Sequence, residues 1–132
     1  MTSRAASCRC GQLSATCTGE PVRISVCHCL DCQKRSGSSF AAQARFPLDQ
    51  VTIAGDSTVW TKVGDKGAAT DFHFCPTCGG TPFYRGGGFP DLIAVAIGAF
   101  ADPAFPAPQF SVWEQRKHRW VEIVGDAVEH YD

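Results

Sequence analysis

The chain has 132 residues, of which 44% are hydrophobic and 19% charged, with a formal net charge of -1. That length fits one domain, 1–132, and the composition excludes a disordered chain. The balanced charge gives no basic footprint for nucleic acid. The longest apolar run, Leu92 to Ile97, is far short of the roughly 18 residues a membrane span needs. Met1 to Ser7 hold no apolar signal-peptide core, so the expectation is a cytoplasmic protein without nucleic-acid or membrane partners.

In chain order the elements are short and Gly/Pro-punctuated, which predicts an all-β fold. Gln12–Cys17 and Val22–Val26 read as the first strands. Leu30–Ser36 carries the one helical signal and is closed by Gly37 as a C-terminal cap. Phe40–Phe46 is a strand ended by Pro47. Val51–Ala54 and Thr58–Val63 flank Gly55-Asp56, which predicts a hairpin. After the turn Gly64–Gly67 come strands at Thr70–Phe74, Thr81–Tyr84, Leu92–Ile97 and Phe110–Glu114. The uninterrupted apolar character of Leu92–Ile97 predicts cover on both faces. Asp102–Pro108 reads as a Pro-rich loop within the fold, and Arg119–Val128 as a strand or a tail. Trp60, Trp113, Trp120 and the nine Phe read as core, with one aromatic available to wall a metal site.

Eight cysteines are the distinguishing count: Cys8, Cys10, Cys17, Cys27, Cys29, Cys32, Cys75 and Cys78. In a reducing compartment such clusters point to metal ligation or catalysis rather than to four disulfides. Cys8 and Cys10, two apart on an extended segment, face the same way. Cys75 and Cys78 have zinc-knuckle spacing, with Gly79 and Gly80 to allow the sharp turn. The four together make a closed structural zinc site, although iron–sulfur ligation uses the same ligand type. Cys27, Cys29 and Cys32 supply three ligands from six residues, the pattern of a catalytic zinc with an open position. The other reading closes that site with His28, His73 or Cys17. His28, between two ligands, is expected to point away from their metal, as a surface residue or a neighbour of the ligands. Cys17 otherwise reads as an inert buried thiol.

Cys-x-Cys-Gly at Cys8–Gly11, Cys-His-Cys-x-x-Cys-x-Lys-x-x-Gly at Cys27–Gly37 and Cys-Pro-x-Cys-Gly at Cys75–Gly79 resemble the glutathione-dependent formaldehyde-activating (GFA) family, which includes centromere protein V. The resemblance covers about Ser7 to Trp120. It implies a tent-like all-β fold of packed antiparallel sheets and two zinc ions. The structural one lies on Cys8, Cys10, Cys75 and Cys78, the catalytic one on Cys27, Cys29 and Cys32. It also implies carbon–sulfur lyase or synthase chemistry: a zinc-bound thiol such as glutathione adds to formaldehyde or a related small aldehyde, giving S-(hydroxymethyl)glutathione. The chain departs from the family at Arg9, where His is frequent, and it is short and compact.

Lys34 and Arg35 read either as contacts to the carboxylates of such a thiol or as ordinary helix C-terminal cations. Ser36–Ser39 and Gly86–Gly88 read as pocket-lining and lid segments, or as a plain loop and a flexible hairpin end. Arg116–Arg119 reads as a solvated basic turn. The competing classes are a non-catalytic zinc module for a protein or thiol partner, and a zinc-ribbon nucleic-acid module. An exposed strand edge would allow a homodimer, but no strand is singled out.

Overall fold

The structure is a computed structural model and describes residues 1–132. A small antiparallel sheet holds β1 (Ser3–Ser7), β2 (Ser14–Thr18) and β5 (Val51–Ala54), in the order β1-β2-β5. A large sheet holds β3 (Arg23–Cys27), β4 (Ala41–Pro47), β6 (Thr58–Val63), β7 (Ala69–Phe74), β8 (Phe83–Gly86), β9 (Phe89–Ala96), β10 (Phe110–Val112) and β11 (Glu129–His130). Its order is β11-β10-β3-β4-β9-β8-β7-β6. Pairing is antiparallel throughout except around β10, which runs parallel to both β3 and β11. One helix, α1 (Leu30–Ser36), follows β3. No helix is long and apolar enough to cross a membrane.

The core lies between the sheets. Alternation along β2 buries Ala15 and Cys17 and exposes Thr16 and Thr18. From the large sheet, Ile24, Ala44, Phe46, Val95 and Phe83 join the same cluster, with Phe100 and Phe105 stacked at its edge 4.7 Å apart. Residues directly opposite on paired strands share a face. Ile24, Ala44, Val95, Phe83 and His73 therefore form one inward row, following the strand registers. The row beside it, Arg23, Arg45, Ala94, Tyr84, Phe72 and Trp60, faces the other way. Cys27 and Ser25 share that outward face of β3 with Arg23 by the two-residue period of a strand.

Several sequence expectations change here. Val51–Ala54 and Thr58–Val63 are strands but not a hairpin: β5 pairs with β2 and β6 with β7. Gly55-Asp56 is where the chain leaves one sheet for the other. A Cβ on Gly55 would lie 1.8 Å from the Gln12 carbonyl oxygen, so only glycine fits that crossing. The three tryptophans are not core: Trp60, Trp113 and Trp120 are 57%, 51% and 76% exposed. β1 was not anticipated from its small polar sequence, which acquires strand structure by pairing with β2. Pro82 moves the strand expected at Thr81 to start at Phe83. Arg119–Val128 is irregular, and the strand β11 begins just after it. Ile93, Ala94 and Val95 are buried in succession, the two-sided cover expected of that run.

Candidate metal centres and the adjoining cleft

The Sγ atoms of Cys8, Cys10, Cys75 and Cys78 all lie within 4.8 Å of one another, and none of these cysteines is in a disulfide. Cys8 and Cys10 are 3.6 Å apart, and Cys10 and Cys75 3.7 Å. Sulfurs about 2.3 Å from a central ion define a tetrahedron with edges of about 3.8 Å, so the spacing fits a four-thiolate metal site. The backbone has already turned donors toward the sulfurs. Leu13 N–H donates to Cys8 at 3.3 Å, and Thr77 N–H and Cys78 N–H donate to Cys75 at 3.4 and 3.5 Å. The Gln12 side-chain amide adds a fourth donor, to Cys75, at 3.1 Å. Burial raises the Cys75 thiol, but the donors from Cys78, Gln12 and Thr77, with Cys10, outweigh it and hold the thiol down at about 6. The site joins the β1–β2 connection to the end of β7 and so ties the small sheet to the large one.

The Sγ atoms of Cys27, Cys29 and Cys32 form the second group. Cys27 ends β3, and Cys29 caps α1, its sulfur accepting the Cys32 N–H at 3.3 Å. Gly37, at φ 69°, closes the helix by donating to the Gln33 carbonyl. The helix therefore spans the residues expected of it, and its first turn brings Cys32 back to its two partners. The Cys27 thiol hydrogen bond pulls Cys32 down to about 5 against burial, with help from Cys29 and the Arg35 guanidinium. The bond to Cys32 and burial push Cys27 up. One metal ion on this group would replace the shared protons.

No fourth protein ligand completes the group. His28 is fully buried, not at the surface, and faces away: its Nε2 contacts Ser111 Oγ at 2.9 Å. Ser111 donates its own proton to Glu114 at 2.6 Å, so His28 Nε2 carries the hydrogen and donates. The bare Nδ1 is buried without a partner. Burial holds the His28 pKa below the usual range. His28 N–H donates to the Val112 carbonyl at 3.1 Å, and its carbonyl accepts from Gln33 Nε2 at 2.8 Å. The residue thus anchors the cysteine loop at three points. His73 stacks on Phe83 at 5.0 Å on the inward face and contacts Ser57. Cys17 is in the core, its thiol pushed up to about 11 by burial.

Beside Cys32 opens a cleft of about 350 Å³, walled by Arg35, Arg45, Lys62, Phe72 and Tyr84. The outward row of the large sheet forms its floor, and α1 its side. The Arg35 guanidinium lies 4.8 Å from the Tyr84 ring centre and 5.6 Å from that of Phe72. Lys62 pairs with Asp31, whereas Arg35 and Arg45 have no carboxylate partner. Arg45 Nη1 makes a 3.4 Å contact to Ser25 Oγ, which also accepts from Gln43 Nε2 at 2.7 Å. Burial pushes the Tyr84 phenol up, opposed by Arg45 and Arg35. Arg35 therefore lines the cleft, while Lys34 lines a hollow that adjoins it and shares its Asp31, Arg35, Lys62 and Phe72 walls, and also borders the outer groove beside Ser38, His118 and Trp120. Ser36 Oγ donates to the Cys32 carbonyl at 2.8 Å, and Ser38 and Ser39 border the outer groove. Gly86-Gly87 is no lid: it is a tight β8–β9 hairpin end, with Gly87 N–H donating to the Ala69 carbonyl at 2.8 Å. Arg45, Lys62, Phe72 and Tyr84 were not anticipated, because only the strand register brings them together.

A solved structure of a Rhodobacter sphaeroides protein is similar to this chain, with a TM-score of 0.59 and 21% sequence identity over 75% of this chain and 91% of that one. At that identity the likeness shows the fold. No curated protein matches the chain. The sequence profile of the glutathione-dependent formaldehyde-activating enzyme family matches residues 3–116, which hold both cysteine clusters and every wall of the cleft, and the chain belongs to that family.

Proposed function

We propose that residues 1–132 form a zinc-dependent carbon–sulfur lyase or synthase that joins a thiol such as glutathione to formaldehyde or a related small aldehyde. The observation that carries this reading is the three-cysteine group with no fourth protein ligand, opening on a cationic cleft. The donor set fits zinc: three soft thiol sulfurs in one case and four in the other. Cys8, Cys10, Cys75 and Cys78 would hold a structural ion, and Cys27, Cys29 and Cys32 the working one. Zinc at the second site supplies Lewis acidity, which lowers the pKa of an incoming thiol and polarises a carbonyl.

The chain's own residues do the rest. Arg35 and Arg45 face the cleft without carboxylate partners and bind the carboxylates of the thiol. Arg35 is held in place by the faces of Phe72 and Tyr84. Lys34, in the hollow that adjoins the cleft, adds a further cation for the same carboxylates. His28, Ser111 and Glu114 hold the cysteine loop in position. Unpaired thiols in these numbers suit a reducing, cytoplasmic setting.

The test is condensation of glutathione with formaldehyde, and its reversal, followed above the spontaneous rate with zinc-loaded protein and with Cys29→Ser. The expected result is turnover that disappears in the variant. Equal rates in both would leave the protein as a non-catalytic zinc module.

A further inference from the structure

Thiol–aldehyde addition needs a proton at the carbonyl oxygen, and the groups usually assigned to such work are out of reach. His28 and His73 are committed to the opposite side of the large sheet. Asp31 and Lys62 engage each other, so the carboxylate is occupied and the ammonium is drawn to it at the edge of the cleft. Arginine does not give up its proton, and the Thr70 hydroxyl in the cleft is an alcohol, far too weak an acid. Tyr84 remains. It lines the same cleft as Cys32, and it stands on the outward row that shares its face with Cys27. Its ring is fixed by Phe72 at 5.2 Å and by the Arg35 guanidinium at 4.8 Å. Across the row its neighbour is Ala94, whose small side chain separates it from Arg45 and leaves room above the sheet. Tyr84 enters none of the side-chain hydrogen bonds around the cleft, which join Gln43, Ser25 and Arg45 on one side and Lys62 and Asp31 on the other.

We propose that Tyr84 is the proton donor of the addition, acting on the oxygen of the aldehyde. The incoming thiol gives its proton to water; as the carbon–sulfur bond forms from the thiolate, the carbonyl π pair moves to oxygen, which takes the phenol proton, and the water-borne proton returns to the tyrosinate. In the cleavage direction water first takes the phenol proton, the tyrosinate removes the hydroxyl proton as the carbon–sulfur bond breaks and the carbonyl re-forms, and the departing thiolate is protonated by water. The assignment rests on the thiol–aldehyde reading above.

The test is Tyr84→Phe, which keeps the ring and its stacking. With zinc content equal to that of the wild type, kcat is expected to fall on the order of 100-fold, the range for loss of one general acid, with the KM for thiol within about twofold. A binding measurement gives a second readout. Calorimetry compares 2-mercaptoethanol, whose hydroxyl lies near the expected oxygen position, with the isosteric 1-propanethiol. The wild type is expected to favour the hydroxyl-bearing thiol about fivefold or more, and the variant to lose that preference, as removal of one hydrogen bond predicts. Wild-type kcat and an unchanged preference in the variant would overturn the Tyr84 assignment alone. Absence of turnover in the wild type would overturn the thiol–aldehyde reading, and this assignment with it.

Discussion

Replacing Arg45 with Met should weaken substrate binding while changing stability little. Arg45 sits directly across from Arg23 in the β3–β4 register, and neither has a carboxylate partner. The Arg23 pKa is lowered by burial and then by Arg45, the mark of two cations forced together. Like charges directly opposite on a sheet cost about 0.2–1 kcal/mol. Relief of that repulsion raises Tm by about 1–4 °C in a chain of this size. That gain is opposed by loss of the guanidinium's contact with the Phe89 ring, whose centre lies 4.3 Å away, about 0.5–1 kcal/mol at a partly exposed site, so Tm should stay within a few degrees of the wild type. Binding carries the larger effect. A charge-assisted hydrogen bond to a substrate carboxylate contributes about 1.5–3 kcal/mol, and the partly open cleft argues for the lower half. That corresponds to a rise of about 13- to 45-fold in the KM for glutathione, with little change for an uncharged thiol. Thermal melting and paired steady-state assays on the two thiols make the test. An unchanged glutathione KM, or a fall in Tm of several degrees, would refute the reasoning.

Three further outcomes follow from individual contacts. Gly86→Ala places a Cβ 2.3 Å from the Ala69 carbonyl oxygen at φ +109°, so it should cost more than about 2 kcal/mol and lower the urea midpoint with m unchanged. The Cys17 thiol, buried and pushed up to about 11, should resist alkylation in native protein stripped of metal and react only on unfolding, as mapped by mass spectrometry. For Glu114, burial raises the carboxyl, but hydrogen bonds from His130 and Ser111 outweigh it and leave it below the ordinary range. It therefore contributes stability above its unfolded pKa of about 4.3, lost as pH falls through the lower native value, and the melting profile of Glu114→Gln should be flatter below about pH 5.

Both cysteine clusters were legible in the sequence because ligand spacing is a local property. The helix was legible for the same reason: Leu30–Ser36 and its Gly37 cap follow from neighbouring residues. What the sequence hid depends on pairing between distant strands. Gly55-Asp56 looks like a hairpin turn, and nothing local shows that β5 and β6 belong to different sheets. Tyr84 and Arg45 are unremarkable in sequence and become cleft residues only through the β4–β9–β8 register. The tryptophans misled because a hydrophobic residue is assigned to the core by default. Trp60 instead lies on the outward face of an edge strand, stacked on Phe72 at 5.7 Å. His28 was expected to face away from the metal, and the structure shows what it faces instead: Ser111 on β10, which runs parallel to both of its neighbours.

On the proposed function, Cys27, Cys29 and Cys32 hold a metal with a position left for a substrate thiol. Cobalt(II) reports this directly, because its visible spectrum responds to the number of thiolates bound. Metal-free protein titrated with cobalt(II) should take up two equivalents, one on each cysteine group. Added glutathione should then change the spectrum of one equivalent toward four-thiolate coordination and leave the other untouched. In Cys29→Ser that glutathione response should be lost. Two equivalents whose spectra ignore glutathione in the wild type would contradict the account.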